Sequence, residues 1–245
     1  MNKLAISTII PVKNGARYIA DAIASIEQQN VPVNEILVVD DGSTDSTIDI
    51  ASDLARKNPA IKILEGPRKG PGPARNVALT IAQGDILSFL DADDLWPAGK
   101  LERQIGRMKI SPHVDVVSGF VRYFNKQAES KLEPASDSRI NDIFHVHLGA
   151  ALFRRSVFQK LGQFEESMLY SEDVDLILRI REAEIPMVIL RDITLFYRRH
   201  PDAMTTEITE NEARNFNKAI LRSIQRRRQA GIMKPLAPFS TIIEG

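Results

Sequence analysis

A chain of 245 residues is long enough to bury one sizeable α/β core, and its 43% apolar and 26% charged content is that of an ordinary globular protein. Lysine plus arginine (32) balance aspartate plus glutamate (32), so no overall field favours nucleic acid and any attraction for phosphate must be local. The absence of cysteine excludes disulfides, thiolate catalysis and cysteine-based zinc sites, and it fits a reducing compartment.

The first apolar run, Ala5 to Ile10, is too short to span a membrane and leads into no small-residue cleavage site, so it is expected to be a strand of a cytoplasmic protein. Tyr18, Ile19, Ala22, Ile23 and Ile26 then recur at three- and four-residue spacing, which predicts a helix with one apolar stripe. Glu35 to Val39 is a second strand, followed by turn residues and a further helical pattern. Strands are predicted at Ala60 to Leu64 and Asp85 to Leu90; the helix between them opens at Pro73, and Gly84 follows its end. Alternating elements of this kind imply a mostly parallel sheet with helices on both faces, and a ligand at the carboxyl ends of the strands.

The alternation continues with a helix over Pro97 to Ile110 and a strand over Val114 to Tyr123. The polar stretch Asn125 to Asn141 reads as a loop. Beyond it are expected a strand over His145 to Phe153, a helix over Glu172 to Ala183, strands at Met187 to Leu190 and Ile193 to Arg198, and a last helix over Glu207 to Ala230.

Three acidic clusters fall where this topology wants a ligand: Asp40 to Asp45, Asp91 to Asp94, and Glu172 to Asp175. Any one of them is accounted for by helix-start chemistry, because Asp, Ser and Thr satisfy orphan amides and favour the positive end of the helix dipole. Ser43, Thr44 and Asp45 suit that role. Asp91, Asp93 and Asp94 exceed it, since one carboxylate is enough to cap a helix and three close ones repel unless a cation holds them. A hard divalent ion, Mn²⁺ or Mg²⁺, binds through one or two carboxylates together with phosphates and water. Arg68, Lys69 and Arg75 supply positive charge on the Gly/Pro-rich stretch Gly66 to Asn76 that leads into a helix N-terminus. This stretch lacks the Gly-Lys-Ser/Thr ending of a Walker loop and does not match the dinucleotide fingerprint; Arg68 and Lys69 read equally well as solvated loop residues.

Taken together and in order, Ile9 to Asn14, Val38 to Asp45, Arg75-Asn76, Asp91 to Asp94, Leu152 to Arg155, Gly162 to Phe164 and Glu172-Asp173 resemble the family 2 glycosyltransferases. The resemblance runs from about Leu4 to about His200. It implies the GT-A fold, with residues 1–205 forming one Rossmann-like domain: about 1–110 would be its nucleotide-sugar half and about 111–205 its acceptor half. Residues 206–245 would form a C-terminal helix and tail. It further implies that Pro11 and Val12 line the nucleotide base and that Asp41 hydrogen-bonds it, typically uracil. Arg75 would sit beside base and phosphates, Asp91 would face the ribose or sugar, Asp93 would lie at the divalent ion, and Asp94 would lie close to the ion or the sugar. Asp173 matches the catalytic base, with Glu172 beside it. The reaction implied is inverting, metal-dependent transfer from a nucleotide sugar, UDP-linked by preference, to the hydroxyl of a glycan or lipid-linked acceptor.

Lys13 stands where the family often has Tyr or Phe. The Gln-x-x-Arg-Trp motif of processive synthases is absent, the only tryptophan being Trp96 beside the acidic cluster. His200, in the basic run Tyr197 to His200, is a second candidate for the metal or diphosphate. His145 and His147 share a strand face and suit packing or acceptor contacts better than an oxygen-loving ion. Arg214, Lys218, Arg222 and Arg226 to Arg228 make the last helix basic and amphipathic; it either packs on its own domain or binds a partner or an anionic membrane at the inner face. Two other classes suit the carboxylate pattern: a sugar nucleotidyltransferase, and a non-catalytic nucleotide-sugar or glycan-binding module.

Overall fold

The computed structural model describes residues 4–125, 147–200, 210–232 and 234–244. Strands β1 (Ile6–Val12), β2 (Glu35–Asp40), β3 (Ile61–Glu65) and β4 (Ile86–Phe89) alternate with helices α1 (Ile19–Glu27), α2 (Thr47–Lys57) and α3 (Pro71–Ile81). Then follow α4 (Lys100–Ile110), β5 (Val116–Asn125), a 3-10 turn (Leu148–Ala150), β6 (Leu152–Arg154), α5 (Arg155–Leu161), α6 (Glu172–Glu182), β7 (Met187–Arg199), α7 (Glu210–Gln229) and β8 (Ile243–Glu244). All the strands join one sheet in the order β3-β2-β1-β4-β6-β5-β7-β8. Among the described strands, only β6 runs antiparallel to its neighbours, β4 and β5.

The largely apolar, β-branched character of β1 and β2 follows from burial on both faces. Ile6 and Ile10, with Ile36 and Val38, point to a core layer shared with Ile19, Ile23 and Ile26 of α1 and Leu101, Ile105 and Met108 of α4. Their alternates Ile9, Leu37 and Val39 point the other way, onto Ala74 and Ala78 of α3, Val157 of α5 and Leu176 and Ile180 of α6. The doubly covered, mostly parallel sheet expected from the sequence is the one observed, and its carboxyl edge carries Val12, Asp41, Asp91 and His200.

Several local expectations change. The predicted strand over His145 to Phe153 shrinks to β6, because Ala150 N and Ala151 N donate to His147 O and Leu148 O and coil the chain first into the 3-10 turn. His145 lies outside the described residues, as do 126–141 of the expected loop. The two strands expected at Met187 to Leu190 and Ile193 to Arg198 are the single strand β7, whose register with β5 shifts around Phe120. The exposed pair Arg191-Asp192 mimics a turn in the sequence but only bulges the strand. Helix α5 and strand β8 were not anticipated. Helix α7 packs on α6: Arg226 pairs with Asp175 (2.9 Å) and Glu182 (2.6 Å), while Arg222 pairs with Glu165 (2.9 Å).

Candidate active site

The site is assembled at the strand ends, where the polypeptide must leave the sheet. Pro11 and Val12 close β1 as buried residues paired with Val39 and Asp40. Asp41, buried just past β2, receives hydrogen bonds on one carboxylate oxygen from the amides of Arg68 (2.7 Å) and Lys69 (3.3 Å), and on the other from Gly70 (2.6 Å). It thereby fixes the loop ahead of α3, in which Arg68 and Gly70 take φ values of 60° and 97°. A base contact by Asp41 would have to be made alongside these three bonds. Asp40 and Asp45 perform turn chemistry: Asp40 accepts from Ser43 N, and Asp45 accepts from Thr47 N and from Ala16 N of the neighbouring loop.

Arg75 is almost wholly buried in the first turns of α3 and bridges two acidic elements. Its Nη2 donates to Asp91 Oδ1 (2.6 Å) and its Nη1 to Glu172 Oε1 (2.5 Å). Burial alone would lower its pKa; the two carboxylates overcome that and hold the guanidinium more firmly charged than usual. Burial likewise disfavours ionised Asp91, but Arg75 outweighs it and keeps that carboxyl below its ordinary range.

The other two carboxylates of the acidic loop divide their contacts. Asp93 Oδ2 lies 2.9 Å from His200 Nε2, and His200 in turn lies against the Tyr18 ring at 4.6 Å between centroids. Asp94 Oδ1 accepts from Arg198 N (2.8 Å), whereas its Oδ2 is buried with no hydrogen-bond partner among the described residues. Burial first, then Asp93 and Asp91, push the Asp94 carboxyl well above its ordinary range. Ligand atoms of Asp91, Asp94 and His147 lie within 4.8 Å of one another. The hard carboxylate oxygens of Asp91, Asp93 and Asp94, gathered on one loop where like charges otherwise repel, fit a small divalent cation.

Asp173 opens α6, where its Oδ1 accepts from Val174 N (2.7 Å). Burial, and then the Glu172 carboxylate beside it, raise its pKa to about 7. Glu172 is committed to Arg75, so the adjacent pair is split between a fixed counter-ion and a group poised near neutrality. Some of the residues expected at the site are brought together: Arg75 joins Asp91 to Glu172, and Asp93 meets His200, while Asp41 is bonded to the loop ahead of α3. The partners that hold them went unread, namely Glu172 for Arg75, Arg198 for Asp94, and His147 beside Asp91 and Asp94. Only the basic run ending at His200 hinted at one of these.

A doubly covered sheet with an acidic, cation-fitting loop at its carboxyl edge and a neutral-range carboxyl on an adjoining helix defines the GT-A glycosyltransferase class. The chain belongs to glycosyl transferase family 2, whose profile matches residues 7–162. It is 30% identical over 223 residues to an uncharacterized glycosyltransferase of Rickettsia typhi, covering 86% of this chain and 69% of that one. It is 40% identical over 109 residues to one of Haemophilus influenzae, covering 44% of each. The chain thus spans less than half of some curated relatives. Among solved structures it resembles the mannosyltransferase PcManGT of Pyrobaculum calidifontis in complex with GDP-Man and Mn²⁺ (TM-score 0.70, 22% identity, 92% of this chain and 65% of that one). It also resembles S. aureus TarS 1–349 in complex with UDP-GlcNAc (TM-score 0.68, 21% identity, 89% and 66%). At these identities the likeness is one of fold.

Proposed function

We propose that the protein is an inverting, non-processive glycosyltransferase that moves a sugar from a nucleotide sugar, UDP-linked by preference, to an acceptor hydroxyl. The observation that carries this reading is the placement of Asp173, a carboxyl with a pKa of about 7, in the same electrostatic cluster as Arg75 and Asp91 of the acidic loop. In this reading residues 1–110 hold the donor, 111–205 the acceptor, and 206–245 form an appended helix and tail.

The Asp173 carboxylate would take the proton of the acceptor hydroxyl as that oxygen bonds to the anomeric carbon. The carbon–oxygen bond to the diphosphate breaks on the opposite face, and the nucleoside diphosphate leaves with the bonding pair. Arg75 would position the acidic loop and balance its charge, while Pro11, Val12 and Asp41 bound the pocket for the base. Asp93, with His200, would hold a divalent cation, Mn²⁺ or Mg²⁺, and Asp91 and Asp94 would face the sugar side. The cation supplies Lewis-acid stabilisation of the departing diphosphate.

The acceptor in this reading is a glycan or a lipid-linked hydroxyl compound. Among the described residues no helix is long and apolar enough to cross a membrane. Arg214, Leu221 and Arg228 are exposed on one stripe of α7, which supports contact with an anionic surface, in this reading the inner face of the membrane. Release of UDP from UDP-sugars with Mn²⁺ tests the reading: Asp173→Asn should keep UDP binding by calorimetry and lose turnover. Full turnover by that variant would remove Asp173 as the base.

A further inference from the structure

Helix α6, helix α7 and the segment 161–166 line a cleft of about 590 Å³, within the ~300–1,000 Å³ range of small-molecule sites. Its floor is built of ion pairs. Arg179 Nε donates to Asp175 Oδ2 (2.8 Å) and its Nη1 to Leu161 O (3.0 Å), while Arg226 Nη1 donates to Asp175 Oδ1 (2.9 Å). Arg222 lies 2.9 Å from Glu165. At the rim Gln163, Glu166, Gln225 and Gln229 are exposed. This cleft is distinct from the site at the strand ends. Two residues of an α-helix turn through about 200°, so Asp175 faces away from Asp173. The Phe164 ring lines the cleft and lies 5.8 Å from the guanidinium carbon of Arg75, so the two places share a wall.

The lining balances Glu165, Glu166 and Asp175 against Arg179, Arg222 and Arg226. A phosphate or a metal ion therefore gains no net field there, and each would meet groups of its own sign. A peptide would need an apolar anchor pocket or an open strand edge. The apolar lining is only Leu161 and the buried Phe164, and the helices that form two of the walls offer no strand edge. What fits is a neutral ligand that donates and accepts hydrogen bonds at closely spaced points. Glutamine amides do both, arginine donates and glutamate accepts. A saccharide, with hydroxyls around its ring, presents that alternation to such walls.

We propose that this cleft is a second, non-catalytic saccharide-binding site, in which Gln225 and Gln229 of α7 and Gln163 of the opposite wall hold a neutral glycan by its hydroxyls. The proposal goes beyond the transfer reading, since a glycan held here lies on the side of α6 away from Asp173. It also gives α7 a task besides covering α6. The ion pairs beneath the glutamines fix the spacing of the two helices, so the rim is presented on a floor that does not have to rearrange.

The test is saturation-transfer NMR and calorimetry on the full chain with maltotetraose, cellotetraose, chitotetraose and mannotetraose, and with inorganic phosphate. At least one tetrasaccharide should bind, and phosphate should not displace it. Gln225→Ala combined with Gln229→Ala should weaken that binding ~10-fold or more, the worth of two hydrogen bonds. Both side chains are exposed and make none of the ion pairs, so the urea midpoint should not move. Gln163→Ala, on the opposite wall, should weaken the same saccharide by itself. Binding should persist in Asp173→Asn and in the presence of saturating UDP and Mn²⁺, which a glycan lodged at the transfer site would not show. No binding of any tetrasaccharide, equal binding by the double variant, displacement by phosphate, or loss of the saccharide on adding UDP and Mn²⁺ would overturn the proposal.

Discussion

His200 Nε2 and Asp93 Oδ2 lie 2.9 Å apart across 107 positions of sequence, joining the end of β7 to the acidic loop. The pair sits where two chain segments leave the sheet, so it can present a carboxylate and an imidazole to one ligand. Replacing Asp93 with alanine is expected to weaken Mn²⁺-dependent UDP binding at least ~10-fold in calorimetry, on the scale of a lost metal-supporting group. Unchanged affinity would take Asp93 out of the anchor.

Asp173 predicts a pH profile. A base must be ionised to accept a proton, so kcat/KM should rise with pH to a plateau above about 7. Asp173→Asn should lower turnover by ~10²- to 10⁴-fold and abolish that limb. Stability should run the opposite way. The fold favours the protonated carboxyl, so this group's contribution is complete in acid below the ordinary aspartate range and is lost as pH climbs to about 7.

Arg75 predicts a stability cost. Arg75→Ala strands Glu172, itself buried, and leaves Asp91 beside two like charges. Loss of one member of a buried ion pair costs about 3–5 kcal/mol, which urea denaturation would read as a lower midpoint at unchanged slope. Arg75→Lys should recover part of this at most, because a single ammonium does not reproduce the planar fork that serves two carboxylates.

Lys100 predicts a different pH response. It is completely buried, with Nζ donating to Gln104 Oε1 (2.6 Å) and lying 4.5 Å from the centre of the Trp96 ring. Burial first, then Arg103, lower its pKa well below the usual lysine range. The unfolded chain therefore binds a proton that the folded one resists, and the stability tied to this residue is full above the ordinary lysine pKa and lost as pH falls. Lys100→Met should flatten the decline in stability towards acid by up to ~1.4 kcal/mol per pH unit, measured by denaturation at a series of pH values. Parallel pH curves for the two proteins would show that the ammonium stays charged in place.

Much of the fold was legible because β1 and β2 are buried on both faces and so read as short, largely apolar and β-branched runs, while α1 and α4 are half-buried and read as stripes. The strand over His145 to Phe153 was misread because Leu148, Ala150 and Ala151 are apolar in either conformation; backbone hydrogen bonds, not composition, make the turn. Arg191-Asp192 was misread because a bulge and a turn share a polar signature. At the site, carboxylates in runs were visible as a pattern of charge. Their partners were not, since Arg75 and Glu172 are 97 positions apart and no periodicity connects them.

The hold of Asp41 on the 68–70 loop bears on how such a protein can diversify. The loop's path is imposed from β2 through main-chain amides, while the Arg68 side chain is largely exposed and Lys69 projects into solvent. Shape and display are thus specified by different residues. A lineage can exchange the charged groups at these two positions while the scaffold that presents them keeps its form.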